Sequence, residues 1–374
     1  MILKTESFKD VCSLILQATD ANELSTLTET LELVTEGRNL FLNVTNKEYF
    51  ASVKFELDHE EAFHATVNAN LFLKLIAAVT TEDIELLCQD RNIVIKANGN
   101  YKIPMVYEND SLMEVPVINI DNVTVQMNIP GTVLESILNT NSKELALGTL
   151  AVPVQKMYYV DQQGCITFTS TSACVNSFNL TENVNILLNN RLVRLFKLFK
   201  GEMVQFELGY DPISDTIIQT KVSFKTNKIK LTAITGCDDT LLNSVPVEPI
   251  RARANKTYPY SVVFNKTALL EAVNRLLLFS AGYGSKENIK PYSQIDFELD
   301  KIIIYDTKKE NNEILTPENG SSVTESYSMT IDLSDFKRVL ENCSEDYVTI
   351  NFGDDTSYVI VRNNVKNILS VVGD

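Results

Sequence analysis

The side chains that could support catalysis are few and scattered along the chain. The two histidines, His59 and His64, lie close together, but neither belongs to a recognisable motif with a nucleophilic serine or cysteine. Two acidic pairs, Asp238–Asp239 and Asp354–Asp355, are of the residue type with which a metal-dependent nuclease holds its cations. Solvated carboxylates in surface turns are a commoner use of such pairs. We therefore predict no catalytic residues, and a nuclease is the least favoured hypothesis.

Metal ions and nucleotide cofactors are not expected either. The six cysteines, at positions 12, 88, 165, 174, 237 and 343, form no Cys-x-x-Cys pair and do not cluster with a histidine. This spacing argues against a zinc site, and a disulfide framework is not expected in a chain of this size inside the cell. The sequence contains neither a Walker loop nor a Gly-x-Gly-x-x-Gly motif. We predict a protein with no cofactor and no metal.

The composition is that of a globular protein with more than one core. The chain has 374 residues, of which 44% are apolar and 22% are charged. No apolar run approaches the length of a membrane span, and the first residues lack the pattern of a signal peptide. We expect a cytoplasmic protein that does not contact a membrane. Its formal charge of −16 argues against nucleic-acid binding over the whole surface.

Three segments share one pattern, in which an amphipathic helix is followed by an acidic turn and an alternating strand. They are Leu71–Leu86, Arg191–Phe206 and Asp335–Ile350. When the three are aligned on the acidic turn residue, four apolar positions coincide at the spacing i, i+3, i+4, i+7 of one buried helix face. These positions are Phe72, Leu75, Ile76 and Val79; Leu192, Leu195, Phe196 and Phe199; and Phe336, Val339, Leu340 and Cys343. The agreement favours duplication of one structural unit.

A second helix is predicted before each copy, at Ser7–Ala18, Pro130–Asn139 and Lys266–Phe279. Pro130 suits a first helical turn, and Asn265 suits an N-cap. The runs rich in Val, Thr, Ile and Phe between the helices, with Asn, Gly and Glu turns, predict antiparallel strands. We therefore predict an α+β fold of three tandem domains, each an antiparallel sheet with two helices on one face. Their predicted boundaries are 1–117, 118–246 and 247–374.

The predicted helices carry a net positive charge that could attract a polyanion. They hold ten basic and five acidic residues, although the whole chain is acidic. For any single residue a solvated helix face is the simpler explanation. A common surface of positive helices would attract a phosphate backbone without reading its bases. The predicted DNA-binding residues are Lys9, Lys74, Arg191, Arg194, Lys197, Lys266, Arg275, Lys337 and Arg338, among which Lys74, Arg194 and Arg338 share one repeat position.

The ordered elements resemble those of the bacterial sliding clamp family, the beta subunit of DNA polymerase III. The resemblance extends over essentially the whole chain. It is carried by Leu40–Asn46, Phe63–Val67, Leu71–Val79, Asn92–Lys96, Tyr101–Pro104, Val262–Phe279 and Met329–Val372. It implies a head-to-tail homodimer whose helices surround double-stranded DNA, bound without sequence preference. It also implies the replicative DNA polymerase and a clamp loader as partners.

The resemblance also assigns two contact sites. The dimer interface would pair Tyr101 and Ile103 with Leu278 and Phe279 of the other subunit. A pocket for short peptide motifs of the partners would be formed by Ser170, Thr171, Ser172, Ala173, Cys174, Val175, Pro249, Arg253, Ser357, Val371 and Val372. Two segments depart from the family: Ser170–Val175 stands where the family has Thr-Asp-Gly-His-Arg-Leu, and the chain ends in Val-Gly-Asp instead of Met-Pro-Met-Arg.

The departures predict a divergent clamp with its own peptide preference, as expected for a clamp encoded by a phage or plasmid beside its own polymerase. The leading functional hypothesis is a processivity factor that encircles DNA. The alternative is a clamp-like scaffold that binds protein partners and does not encircle DNA. Solution mass and retention on circular DNA distinguish the two.

Overall fold

The computed structural model describes residues 1–19, 25–146, 151–214, 217–235, 239–280, 290–318 and 321–372. The chain divides into two compact units. Unit 1 comprises Met1–Glu135, Thr181–Val184 and Arg191–Cys237, and unit 2 comprises Ser136–Leu180, Asn185–Asn190 and Asp238–Asp374. The residues predicted to form the central domain are thus shared between the two units. The three-domain boundaries stay a prediction.

The structure contains many short antiparallel strands and few helices. The strands are β1 Ile2–Lys4, β2 Thr30–Glu36, β3 Asn39–Thr45, β4 Tyr49–Glu56, β5 His64–Asn68, β6 Asp83–Gln89, β7 Asn92–Lys96, β8 Asn100–Pro104, β9 Tyr107–Glu108, β10 Ser111–Leu112, β11 Val123–Pro130, β12 Met157–Asp161, β13 Gly164–Phe168, β14 Ser172–Ser177, β15 Asn185–Asn189, β16 Met203–Ser214, β17 Ile217–Lys225, β18 Ile229–Thr235, β19 Tyr260–Asn265, β20 Tyr292–Phe297, β21 Ile302–Tyr305, β22 Asn312–Leu315, β23 Tyr327–Asp332, β24 Tyr347–Phe352, β25 Ser357–Arg362 and β26 Val365–Ser370. The α-helices are α1 Thr5–Leu16, α2 Ala69–Ala78, α3 Gly131–Thr140, α4 Asn190–Arg194, α5 Asp239–Asn243, α6 Val247–Ala254, α7 Lys266–Leu277 and α8 Leu333–Glu341. Short 3₁₀ helices cover Asn141–Glu144, Pro153–Lys156 and Leu195–Phe199.

Each unit contains one large and one smaller antiparallel sheet. In unit 1 the strand orders are β11-β16-β17-β18-β4-β3-β2-β5 and β1-β6-β7-β8, with β9 and β10 as a separate pair. In unit 2 they are β15-β12-β13-β14-β26-β25-β24-β19 and β22-β21-β20-β23. Both large sheets cross a predicted domain boundary, through the pairing of β18 with β4 and of β14 with β26. This architecture confirms the predicted α+β class.

The apolar faces predicted for the repeated helices lie in the cores. Eleven of the twelve predicted positions are buried, and only Leu75 is half-buried. In α8, for example, Phe336, Val339 and Leu340 are at most 1% exposed. The predicted N-cap is confirmed, because the Asn265 side chain accepts a hydrogen bond from the Ala268 amide at 3.1 Å. Periodicity therefore identified the buried faces of the repeated helices, and the cap identified the start of α7.

Two local predictions about the helices differ from the structure. Pro130 is the last residue of β11, and α3 begins at Gly131. A side chain at Gly131 would place its Cβ 2.1 Å from the Phe199 carbonyl oxygen, so the close approach of two backbones requires glycine. The helix predicted around Arg191–Phe199 is α-helical only to Arg194 and continues as the 3₁₀ helix. Such tightening is common at the end of a helix.

Candidate DNA-contacting and peptide-binding sites

The predicted DNA-contacting residues of unit 1 include three exposed cations. Lys74, Arg194 and Lys197 are exposed, and none makes an ion pair within the described part of the chain. The other two are paired: Arg191 lies 3.8 Å from the Glu48 carboxylate, and Lys9 lies 3.2 Å from the Glu6 carboxylate. Exposed ion pairs of this kind are weak and would exchange readily for a phosphate.

The predicted DNA-contacting residues of unit 2 are engaged in internal contacts. Arg275 donates two hydrogen bonds to Glu313, at 2.7 and 2.9 Å, and this bidentate contact lowers the pKa of Glu313. Lys337 lies 3.6 Å from Glu341, and the Lys266 ammonium donates to the Cys343 carbonyl at 3.3 Å. A phosphate at these positions would have to compete with the protein's own acceptors.

Arg338 differs from the two residues that share its repeat position. Its guanidinium forms an ion pair with Glu144, whose side chain is only 2% exposed. It also donates to the Ser172 hydroxyl at 3.0 Å and to the Asp335 carboxylate at 3.3 Å. Arg338 is therefore a partly buried structural cation in this fold, whereas Lys74 and Arg194 are exposed.

Unit 2 contains a cleft at the position predicted for the peptide pocket. It has a volume of about 190 Å³ and lies between the turn that joins β13 to β14 and the helix α6. Six of the eleven predicted residues line it: Ser170, Thr171, Ser172, Ala173, Pro249 and Arg253. The structure adds Phe168, Thr169, Pro246, Ile250, Ile368 and Ser370. The cleft thus combines an apolar lining with hydroxyl groups and one exposed arginine.

The other five predicted pocket residues do not line the cleft. Cys174, Val175 and Ser357 are buried in the sheet, at 0%, 6% and 1% exposure. Val371 and Val372 are half-buried beyond the end of β26. Alternation explains the burial of Cys174, because successive side chains of a strand point to opposite faces and its neighbour Ala173 lines the cleft.

The lining residues that sequence reasoning missed come from different parts of the chain. Pro246 and Ile250 lie at or close to the predicted boundary between residues 246 and 247. Ile368 lies opposite Ala173 through the pairing of β26 with β14. No local sequence pattern reveals a pairing between residues so far apart in the chain.

An internal ion pair fixes the helix side of the cleft. Arg251 of α6 lies 2.6 Å from the Asp161 carboxylate, and both side chains are largely buried. Burial opposes the charged form of Arg251, but the hydrogen bond to Asp161 outweighs it and raises the pKa of the arginine. The pair holds α6, and with it Pro249 and Arg253, against the β12–β13 hairpin.

A second ion pair in unit 2 makes a pH-dependent contribution to stability. Hydrogen bonds from Lys256 and Thr356 lower the pKa of Asp354 from 3.8 to about 2. Because the folded state favours the charged carboxylate, this stabilisation is present above about pH 4 and is lost as the pH falls towards 2. Lys256→Met should therefore flatten the acid side of the stability profile, measured by urea unfolding between pH 2 and 5. In the control variant Lys301→Met, the profile should keep its wild-type slope, and an unchanged slope in Lys256→Met would contradict the assignment.

The predicted dimer-interface residues have contrasting environments. Ile103 is 3% exposed and faces the core of unit 1, so its side chain is not available to a partner, and Tyr101 is half-buried. Their strand β8 is nevertheless an edge strand of its sheet. Leu278 and Phe279, directly after α7, are 75% and 56% exposed. The surface that β8 offers is therefore its backbone edge rather than Ile103.

The described residues considered for catalysis make structural contacts or are exposed. Asp354 is held by Lys256, and the Asp238–Asp239 pair lies outside the residues whose side chains the structure describes. His64 contacts Glu32 at 3.0 Å, and His59 is exposed. Within the described ranges, no three His, Cys, Asp or Glu side chains are grouped as a metal site, and the five described cysteines are unbonded. None of the described helices has the length and hydrophobicity of a membrane span.

Comparison with solved structures shows what the fold is. The sliding clamp (DNA polymerase III subunit beta) of Pseudomonas aeruginosa, bound to griselimycin, superimposes with a TM-score of 0.82 at 14% identity over 100% of this chain and 99% of that one. The sliding clamp of Bacillus subtilis gives 0.79 at 12% identity over 100% and 98%. The beta chain of DNA polymerase III from Streptococcus pneumoniae gives 0.80 at 11% identity over 100% and 99%.

Sequence comparison does not detect this relationship. No model of a known protein family matches the chain, and no curated protein matches it either. The similarity lies instead in the order and packing of the elements over the full length of the chain. This chain has the fold of the bacterial sliding clamps, the beta subunits of DNA polymerase III.

Proposed function

We propose that the chain is a cytoplasmic DNA sliding clamp, a non-catalytic processivity factor. Two subunits would form a head-to-tail ring around double-stranded DNA, opened by a clamp loader, and the cleft of unit 2 would bind a peptide motif of the replicative polymerase. The observation that carries this proposal is the clamp fold along the whole chain. The cleft gives it independent support, since six residues assigned by resemblance line one cavity.

The DNA contact would be electrostatic and independent of sequence. Lys74, Arg194 and Lys197 are exposed cations available to phosphates, while the acidic remainder of the surface would repel DNA. A ring does not need tight binding, because a closed circle around DNA is released only by opening or by sliding off an end. A modest number of cations is consistent with that mode of retention.

The subunit contact would be a continuation of sheets. Strand β8 of unit 1 and strand β22 of unit 2 are both edge strands of four-stranded sheets. Addition of β8 from one subunit to β22 of the other would extend two small sheets into one and cover their unpaired backbone groups. Leu278 and Phe279 would then be covered as the apolar part of the contact. Because each subunit offers both strands, the contact is made twice, and this closes a two-fold dimer.

Retention on DNA tests the proposal directly. The labelled chain is loaded onto nicked circular plasmid with the clamp loader of its own replication system and washed with high salt. It should remain on the circle and be lost when the plasmid is linearised by a restriction enzyme. Equal loss from circular and linear DNA would contradict encirclement.

The cations are tested by reversal of charge. The triple variant Lys74→Glu, Arg194→Glu, Lys197→Glu should reduce the salt dependence of binding to duplex DNA, lowering the slope of log K against log salt by about 3. In the control variant, Lys301, Lys308 and Lys309 are each replaced by Glu. This variant has the same net charge as the first, but its changes lie at other positions. Arg338 is left unchanged, because a carboxylate there would face Glu144. A wild-type slope in the first variant would contradict the assignment.

The scaffold hypothesis keeps one specific observation in its favour. Three of the four cations of unit 2 that were expected to face DNA are engaged by Glu313, Glu341 and Glu144. A chain that binds peptides in its cleft, stays monomeric and is not retained on circles would fit this alternative.

A further inference from the structure

The wall of the cleft formed by residues 169–172 is a tight turn with its own hydrogen bonds. The Thr169 hydroxyl accepts from the amides of Thr171 and Ser172, at 3.1 and 3.0 Å. The Thr171 carbonyl in turn accepts from the Ser370 amide at 3.0 Å. Ser170 is exposed at the tip of this turn, and Thr171 and Ser172 are half-buried.

Helix α8 also holds this turn, although its residues are not among those that line the cleft. The Thr171 hydroxyl donates to the Asp335 carboxylate at 2.9 Å, and Arg338 donates to the Ser172 hydroxyl at 3.0 Å. Asp335 and Arg338 are one helical turn apart and bond each other at 3.3 Å. Two charged side chains thus bind two consecutive hydroxyls, and such charge-assisted bonds are the stronger class.

The charged pair is itself supported on both sides. Lys290 lies 2.6 Å from Asp332, the N-cap of α8, and 3.5 Å from Asp335. Arg338 is paired with the buried Glu144. These contacts restrain the side chains of Asp335 and Arg338. The two side chains in turn restrain the position of residues 169–172.

We propose that Asp335 and Arg338 are positioning residues that set the width and shape of the peptide cleft without lining it. The opposite side, α6, is fixed by the pair of Arg251 and Asp161, so the 169–172 turn is the side whose position depends on α8. This inference rests on the proposed peptide-binding role of the cleft. It assigns the specificity of the cleft partly to a helix that the ligand does not touch.

A double-mutant cycle measured by native-state hydrogen exchange tests the positioning role. Thr171→Val and Asp335→Ala should each accelerate exchange of the Thr171, Ser172 and Ser370 amides about tenfold, as expected for loss of a hydrogen bond to a charged group. The double variant should be no faster than Asp335→Ala alone, because both changes break one contact. Thr171→Ser keeps the hydroxyl and should restore slow exchange. Arg338→Lys keeps a positive charge beside Glu144 but loses the planar guanidinium with its several N–H donors. Hydrogen exchange of the Ser172 amide should therefore be faster in this variant.

The control is Glu341→Ala on the same helix, since Glu341 is half exposed and contacts only Lys337 among the partners described. Exchange near the cleft should stay at the wild-type rate in this variant. Unchanged rates in Asp335→Ala, or additive effects in the double variant, would overturn the inference.

Ligand affinity separates this inference from the proposed function. Griselimycin, the ligand of the matched Pseudomonas aeruginosa clamp, serves as the probe in calorimetric titrations. Asp335→Ala should weaken its binding about tenfold, and Thr171→Ser should bind like the wild type. Equal affinity of Asp335→Ala and the wild type for griselimycin would overturn the influence of Asp335 on the cleft, while the exchange rates decide the positioning role if the wild-type chain does not bind this ligand.

Discussion

Replacing Arg338 by methionine should lower the free energy of unfolding by about 3–5 kcal/mol. The loss comes from Glu144 rather than from the arginine. Glu144 is buried, and its other polar contact within the described ranges is a hydrogen bond from Asn342 at 3.0 Å. Without the guanidinium, a carboxylate stays in the interior with no opposing charge. Chemical unfolding in urea, followed by circular dichroism, measures the effect.

Two further variants separate this cause from a general effect of mutating α8. Lys337→Met changes the neighbouring residue, whose partner Glu341 is half exposed, and should cost less than about 1 kcal/mol. The double variant Arg338→Met, Glu144→Met replaces the pair by apolar side chains and should recover most of the loss. A double variant as unstable as Arg338→Met would show that the buried charge is not the cause.

Replacing both Leu278 and Phe279 by aspartate should convert a stable dimer into a monomer. Both side chains are largely exposed in the single chain, so the change leaves the core of unit 2 intact. In a dimer, the two apolar side chains would each contribute about 1.5–3 kcal/mol of burial, and two buried carboxylates would add a further penalty. Sedimentation equilibrium should give a mass near twice 42.0 kDa for the wild type and 42.0 kDa for the variant.

Leu299 offers a matched control, because it is also in unit 2 and is 70% exposed. Leu299→Asp should sediment as a dimer like the wild type. A wild-type chain that is monomeric over the whole dilution series would contradict the ring and, with it, the processivity role. A dimeric double-aspartate variant would place the subunit contact elsewhere.

The sequence predicted the fold more completely than it predicted the binding sites. Periodic apolar residues and an asparagine cap predicted the repeated helices, because these signals act over one or two turns. The three residues at the shared repeat position illustrate the limit. Lys74 and Arg194 remain exposed, but Arg338 is drawn into the protein by a carboxylate in a distant part of the chain. A charge pattern along a helix does not reveal a buried partner supplied by another segment.

The cleft shows the same division between local and distant information. Thr171, Ser172 and Ala173 were predicted pocket residues, and all three line the cleft. The contribution of Ile368 to the apolar lining could not be predicted, because only the pairing of β14 with β26 brings this residue to the cleft. Its support from Asp335 was not foreseen either, since that hydrogen bond joins residues 164 positions apart.

The strand order of the large sheets has a consequence for synthesis on the ribosome. The N-terminal strands through β5 emerge early, yet β4 finds its outer neighbour only when residues 229–235 have been made. One edge of strand β14 stays unpaired for longer still, until residues 365–369 of β26 have been made. Until then the nascent chain exposes unpaired strand edges, which are the usual sites of aggregation. Translation of the last strand is thus the step that closes the second large sheet, and a pause shortly before it would leave the most vulnerable intermediate exposed.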